Sequence, residues 1–298
     1  MDKKREKVEE TFPLLGEVKD SLSGGWVGAI HRLVVLWQGR SRNSVNPYRI
    51  RNFLVIWPVS PLEQEKFHPL ESLSTYMQLT WLGHSCVLLS GTKKVLIDPF
   101  IEGGSVLNTN PDIVAVTHGH DDHMGETVAL GKKTVAITEI AKYLKAKGVP
   151  AEGMNIGGTI TLDGVTFTMT PALHSAWIEE AGIGCNGGAA AGFVIGMDGV
   201  KVYHSGDTAL FSDMKLIGEL YHPDVALLPI GGRFTMGIPE AMMAANFVGA
   251  KTVIPIHYNT WEKITVDPAP FRKALERTTD IKVKILKPGE CVEIAPSA

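Results

Sequence analysis

Residues 118–123 read His118-Gly119-His120-Asp121-Asp122-His123, directly after the apolar run Asp112-Ile113-Val114-Ala115-Val116 and Thr117. This concentration of imidazole and carboxylate is metal-binding chemistry. Alternate residues of an extended segment point the same way, so His118 and His120 can share one cation. Where the chain then turns into a helix, Asp122 and His123 can face a second. Such donors suit Zn²⁺, and also Mn²⁺, Fe²⁺ or Ni²⁺. A polar turn with a helix-capping aspartate is the plain alternative. It does not account for three clustered histidines in a chain that has only 10 in 298 residues.

Three other segments can supply missing ligands. His174 lies in Thr170-Pro171-Ala172-Leu173-His174-Ser175, Asp207 in His204-Ser205-Gly206-Asp207-Thr208, and His257 in Pro255-Ile256-His257-Tyr258. Each follows an expected strand, where loops from a sheet edge converge. A lone histidine there is more often hydrogen-bonded in the core or on the surface. Beside the 118–123 motif, the three read as one set with it.

These residues need a scaffold, and its pattern becomes regular from Met77. Strands are expected at 77–82, 86–90, 94–97, 112–116 and 134–137, with a helix from Met124 and another over 139–147. Hairpins are expected at 158–162/165–170 and 191–197/200–204, turning at Asp163-Gly164 and Asp198-Gly199. Then come a helix over 214–220 capped by Asp213, strand 224–228, and a helix with Pro239 as its first residue ending at Gly249. Strand 252–256, helix 270–277, and strands 282–286 and 291–294 close the order. Two strand sets, each interleaved with helices, predict an α/β (α+β) fold, a four-layer αββα sandwich. Gly182-Ile183-Gly184 and Gly187-Gly188, with Trp177, suggest a mobile loop beside His174.

Residues 1–76 differ in composition. Six of the nine arginines and three of the six tryptophans lie there, and no apolar period is sustained. Two readings compete: an appendage that packs on the main domain or a partner, or a poorly ordered extension translated from a start codon placed too early, with Met77 the true start.

The remaining composition narrows the classes. A net charge of −3 gives no general attraction to nucleic acid. Residues 24–38, the most apolar stretch, are too short to span a membrane and carry His31 and Arg32. Cys86, Cys185 and Cys291 form no metal or disulfide spacing, which suits a reducing cytoplasm, and they read as small buried hydrophobes. A small-molecule substrate is expected, with self-association into a homo-oligomer left open.

The order T-H-x-H-x-D-H, then His, G-D-T and His resembles the metallo-β-lactamase-fold hydrolases. Trp81-Leu82-Gly83-His84-Ser85, Leu96-Ile97-Asp98-Pro99-Phe100, Gly231-Gly232-Arg233-Phe234-Thr235-Met236-Gly237 and Pro255-Ile256-His257-Tyr258-Asn259-Thr260 resemble the UPF0173 subfamily, related to ascorbate-phosphate lactonases. The likeness runs from Met77 to about Ile294, and no ligand position departs from the pattern. It implies one site of His118, His120 and His174, a second of Asp122, His123 and His257, and Asp207 bridging two divalent ions, zinc foremost. Asp122 and Asp207 would be the catalytic carboxylates, Asp122 either as ligand or as proton carrier. On the residues themselves, Asp98 reads as orienting a ligating imidazole, His84 as supporting a ligand, lining the cleft or simply buried and hydrogen-bonded, and Arg233 as meeting a substrate anion or solvent. His204 reads as structural.

The reaction implied is hydrolysis of an ester, lactone or phosphoester by metal-activated water. A nuclease or phosphodiesterase of the same fold is the alternative; the short Asp207–His257 gap leaves no room for a nucleic-acid clamp. A thioesterase with a helical substrate domain, a di-iron oxygen-reducing protein, which favours Glu where this chain has His120, and a non-catalytic metal-binding protein fit less well.

Overall fold

The computed structural model describes residues 30–40, 48–58, 76–180 and 183–296, with side chains for 76–179 and 184–296. The chain divides into two compact units, Met1–Leu73 and Ser74–Ala298. In the first, β1 (Ile30–Arg40) pairs antiparallel with β2 (Tyr48–Pro58), Ile30 opposite Pro58 and Arg40 opposite Tyr48. Neither strand is among the elements read from sequence. The two readings of 1–76 otherwise concern residues outside those described, as does 24–29 of the apolar stretch. No helix of the described residues is long and apolar enough to cross a membrane.

The second unit holds two seven-stranded sheets. One runs β3 (Met77–Gly83), β4 (Cys86–Ser90), β5 (Lys94–Ile97), β6 (Ile113–Ala115), β7 (Lys133–Ile137) and β8 (Ala151–Met154), with β18 (Glu290–Ile294) beside β3. The other is built from β9 (Thr159–Leu162), β10 (Val165–Pro171), β13 (Ala191–Met197), β14 (Val200–His204), β15 (Val225–Pro229), β16 (Thr252–Ile256) and β17 (Lys282–Val283). Both share one plan. An antiparallel meander (β18-β3-β4-β5; β9-β10-β13-β14) turns at its last strand into a parallel run (β5-β6-β7-β8; β14-β15-β16-β17).

The parallel crossovers supply the helices: α1 (Asp121–Met124), α2 (Thr127–Leu130), α3 (Thr138–Ala146), α4 (Met214–Tyr221), α5 (Ile238–Val248) and α6 (Ala269–Thr278). The interior strands β6 and β15 are buried at every position, as strands covered on both faces require. Leu79, Val87 and Val114 of one sheet join Phe167, Phe193 and Leu227 of the other in a single apolar core. That is the expected αββα arrangement.

Several expectations shift. The helix after the motif begins at Asp121, not Met124, because His120 is extended (φ −67°, ψ 150°) and serves as its N-cap; two carboxylates in the first turn suit the helix dipole. Gly125, at φ 40°, ends it after one turn, since a β-carbon there would strike the Pro99 carbonyl. Asp213 precedes α4 but caps nothing with its side chain, whose Oδ1 accepts the Ser212 hydroxyl. Pro239 is the second residue of α5, and Gly249 ends it in the left-handed region. Of the cysteines, only Cys86 is buried. Cys185 and Cys291 are exposed, in β12 (Ile183–Cys185) of a surface hairpin and in the edge strand β18.

The segment read as a mobile loop pairs its ends, β11 (Ile178–Glu180) against β12; Gly182 lies outside the described residues. The approach to this hairpin leans on the motif itself. A β-carbon on Gly119 would lie 2.8 Å from the Trp177 carbonyl and 3.0 Å from that of Ala176. Glycine between His118 and His120 therefore lets a second segment pack against the motif.

Candidate metal centre

The strands end where the chemistry begins. Asp98 follows β5, and His118 follows β6 after Val116 extends its ladder to Val135. His174, Asp207 and His257 follow β10, β14 and β16, and His84 sits in the β3–β4 turn. Open parallel sheets present their functional loops at such carboxyl ends. His84 (φ 51°), Asp98 (φ 47°) and His257 (φ 52°) all have left-handed backbones. Each such conformation costs a non-glycine residue on the order of 1–3 kcal/mol. The surrounding bonds hold them there: the His84 carbonyl accepts both the His257 amide and the Trp81 indole, each at 2.9 Å.

All seven expected ligand residues converge. Together with His84, they form three overlapping groups whose potential ligand atoms lie within 4.8 Å of one another: His118, His120 and His174; His84, Asp122, His123 and His257; and His118, His123 and Asp207. His118 Nε2 lies 3.0 Å from His120 Nδ1. Asp207 reaches both sides of the cluster, with Oδ2 3.0 Å from His257 Nε2 and 3.7 Å from His174 Nε2, and Oδ1 3.4 Å from His123 Nε2.

The hydrogen bonds around the cluster set its tautomers. Asp98 is buried and accepts three bonds: from the Thr117 amide (2.8 Å), the Thr117 hydroxyl (2.7 Å) and His123 Nδ1 (2.7 Å). Thr117 has one hydroxyl proton, and the carboxylate takes it. His118 Nδ1, 3.0 Å from that hydroxyl, must then be the donor. With Nδ1 committed to these bonds, Nε2 is the nitrogen that both His118 and His123 turn toward the centre, the one a metal would take. His204 has a structural place: its Nδ1 accepts the Gly206 amide and its Nε2 donates to the Ser85 carbonyl.

Burial and charge suit the site to a cation. His123 Nε2 and Asp207 Oδ1 are buried without a hydrogen-bond partner. Burial disfavours a charged His123, but Asp207 and Asp98 outweigh it and raise its pKa well above the usual range. A proton is therefore stabilised where a cation would be. Burial likewise opposes ionisation of Asp207, yet His123 and His257 hold its carboxyl well below the normal value. Asp122 is also held low against its burial, through the 3.1 Å bond to His84 and the charge on His123. His118, His120 and His174 are shifted down, chiefly by burial, and stay neutral. Buried imidazoles and carboxylates with unsatisfied atoms suit a borderline divalent ion such as Zn²⁺.

The centre opens into a cleft of about 480 Å³, lined by Phe100, His120, Asp121, Asp122, His174, Ser175, Asp207, Phe234, His257 and Trp261. Ser175 Oγ, 3.3 Å from His120 Nε2, steadies that ring. Arg233 does not line the cleft. Its guanidinium lies 5.6 Å from the centroid of the Phe234 ring, which does. Sequence reasoning gave no role to Thr117, Ser175, Thr260, Trp261 or Phe100. Thr260 and Phe100 stand inside quoted motifs, but only the folded geometry brings Thr260 Oγ1 within 2.8 Å of His84 Nδ1.

Residues 78–257 match the family model described as a beta-lactamase superfamily domain. A UPF0173 metal-dependent hydrolase of Methanoregula boonei is 71% identical over 222 residues, covering 74% of this chain and 100% of the relative. Its namesake in Methanoculleus marisnigri is 63% identical over 220 residues, covering 74% and 98%. The solved structure of Igni18, described as a novel metallo hydrolase from Ignicoccus hospitalis, is 37% identical with a TM-score of 0.67 and covers 74% of this chain and 99% of that one.

Proposed function

This chain belongs to the UPF0173 metal-dependent hydrolases of the β-lactamase superfamily, and on that premise we propose that it holds two divalent cations and hydrolyses an ester, lactone or phosphoester bond of a small molecule. The observation that carries the reading is the position of Asp207, whose two oxygens face different members of the histidine cluster. His118, His120 and His174 would hold one ion, Asp122, His123 and His257 the other, and Asp207 would join them. Bound there, the cations would supply a water of lowered pKa and polarise the scissile group.

The chain's own residues do the rest. Asp98 and Thr117 fix which nitrogens His118 and His123 present. His84, gripped by Thr260, orients Asp122; held ionised, Asp122 acts as a ligand in preference to a proton carrier. Phe100, Phe234 and Trp261 give the cleft apolar walls beside the centre. In the net reaction water adds across the scissile bond: its oxygen joins the acyl or phosphoryl centre, and a proton passes to the leaving oxygen.

Reconstitution with Zn²⁺ or Mn²⁺ tests this. Ligand at 100 times its dissociation constant adds about 2.7 kcal/mol of stability, so the melting temperature should rise by roughly 5–10 °C. Hydrolysis of a lactone, ester or phosphoester panel should appear with it. Chelation should reverse both; an unchanged melting temperature and no turnover would reject the reading.

The supporting residues give a second expectation. Asp98→Ala and His84→Phe should each weaken metal binding by about 10–100-fold, the usual cost of removing a group that orients a ligand. His84→Phe should affect the ion on Asp122, and Asp98→Ala both ions, because Asp98 serves His123 directly and His118 through Thr117. Calorimetric titration reads the two sites separately.

A further inference from the structure

We infer that the cleft over the metal centre selects a neutral carboxylic ester or lactone with an apolar, preferably aromatic, substituent, and not a phosphorylated substrate. This deepens the hydrolase reading and rests on it.

The walls of the cleft carry the inference. Phe100, Phe234 and Trp261 come from three separate segments, after β5, β15 and β16, yet line the same 480 Å³ space. Phe100 and Trp261 stand 6.2 Å apart between ring centroids, and the Trp261 indole is anchored by a 2.9 Å bond to Glu102. Phe234 is 46% exposed although it is a large apolar side chain. A large apolar side chain left in water at such an opening is available for a ligand to cover. The volume fits a small molecule, and an apolar lining with a few converging polar groups is the usual make-up of such a site.

Charge points the same way. With Asp122 and Asp207 neutralised by the cations they would hold, Asp121 is the charged side chain left in the lining, which includes neither lysine nor arginine. A phosphate handle remote from the reacting bond is ordinarily held by arginine or lysine. Here Arg233 lies against Phe234 outside the lining, and Asp121 would repel an anion. An aromatic group instead gains area against three rings at no electrostatic cost.

The test compares four compounds on protein reconstituted with Mn²⁺: γ-phenyl-γ-butyrolactone, γ-butyrolactone, a phosphomethyl-substituted butyrolactone and bis(4-nitrophenyl) phosphate. The phenyl lactone should show a kcat/KM at least about tenfold above each of the others. In Phe234→Ala the ratio of phenyl to unsubstituted lactone should fall about tenfold, while a general structural defect would lower both alike and leave the ratio unchanged. In metal-free protein, saturation-transfer NMR should place the strongest contact on the phenyl protons. A preference for either phosphorylated compound, or a ratio unmoved by Phe234→Ala, overturns the inference and leaves the hydrolase reading standing. Turnover of none of the four overturns both.

Discussion

Asp207→Ala should empty both metal positions and lower kcat/KM by ~10³-fold or more, because the cations supply the activated water. The side chain is buried and its two oxygens reach His123, His174 and His257. No other carboxylate of the centre meets residues assigned to both ions. Removing it leaves His123 Nε2 and His257 Nε2 buried without the carboxylate they face, and breaking a buried pair of this kind costs roughly 3–5 kcal/mol. Asp207→Asn separates the two effects. It keeps the shape and loses the charge, so it should fold with a smaller penalty and still fail to hold two ions. If Asp207→Asn keeps full metal content and full activity, Asp207 does not bridge.

The second expectation concerns the division of the cluster. His174→Ala should remove the ion held with His118 and His120 and spare the other; His257→Ala should do the reverse. Each is expected to lower kcat/KM by at least ~10²-fold, since a two-metal site works as a unit. His174 is partly exposed and makes few structural contacts, so its loss should hardly change folding. His257 is buried and its amide holds the His84 carbonyl, but an alanine retains that amide. Metal analysis after dialysis should find about one ion per chain in each variant. Loss of both ions in both variants would mean one shared site.

Much of this was legible in the sequence. The motif at 118–123 holds four of the proposed ligands, and the rule that functional residues follow strand ends points to His174, Asp207 and His257, which the fold brings beside it. The turns Asp163-Gly164 and Asp198-Gly199 stand where expected, with all four residues at positive φ, as two-residue hairpins demand. What could not be read depends on distant partners. β8 reads Ala-Glu-Gly-Met, which has no strand preference, and exists because β7 offers it a free edge. The grip on His84 joins Asp122 and Thr260, far apart in the chain. Nothing in the sequence marks Phe100, Phe234 and Trp261 as neighbours; only the fold puts them around one opening. From its glycine-rich loop Arg233 can meet a substrate anion or solvent; the fold lays it, exposed, against Phe234.

Anomalous diffraction from crystals of the Zn²⁺-reconstituted protein, recorded on both sides of the zinc absorption edge, locates the metal ions themselves. Two peaks about 3.5–4 Å apart are expected, one among His118, His120 and His174, the other among Asp122, His123 and His257, with Asp207 between them. A single peak, or peaks away from these residues, would contradict a two-ion centre held by them.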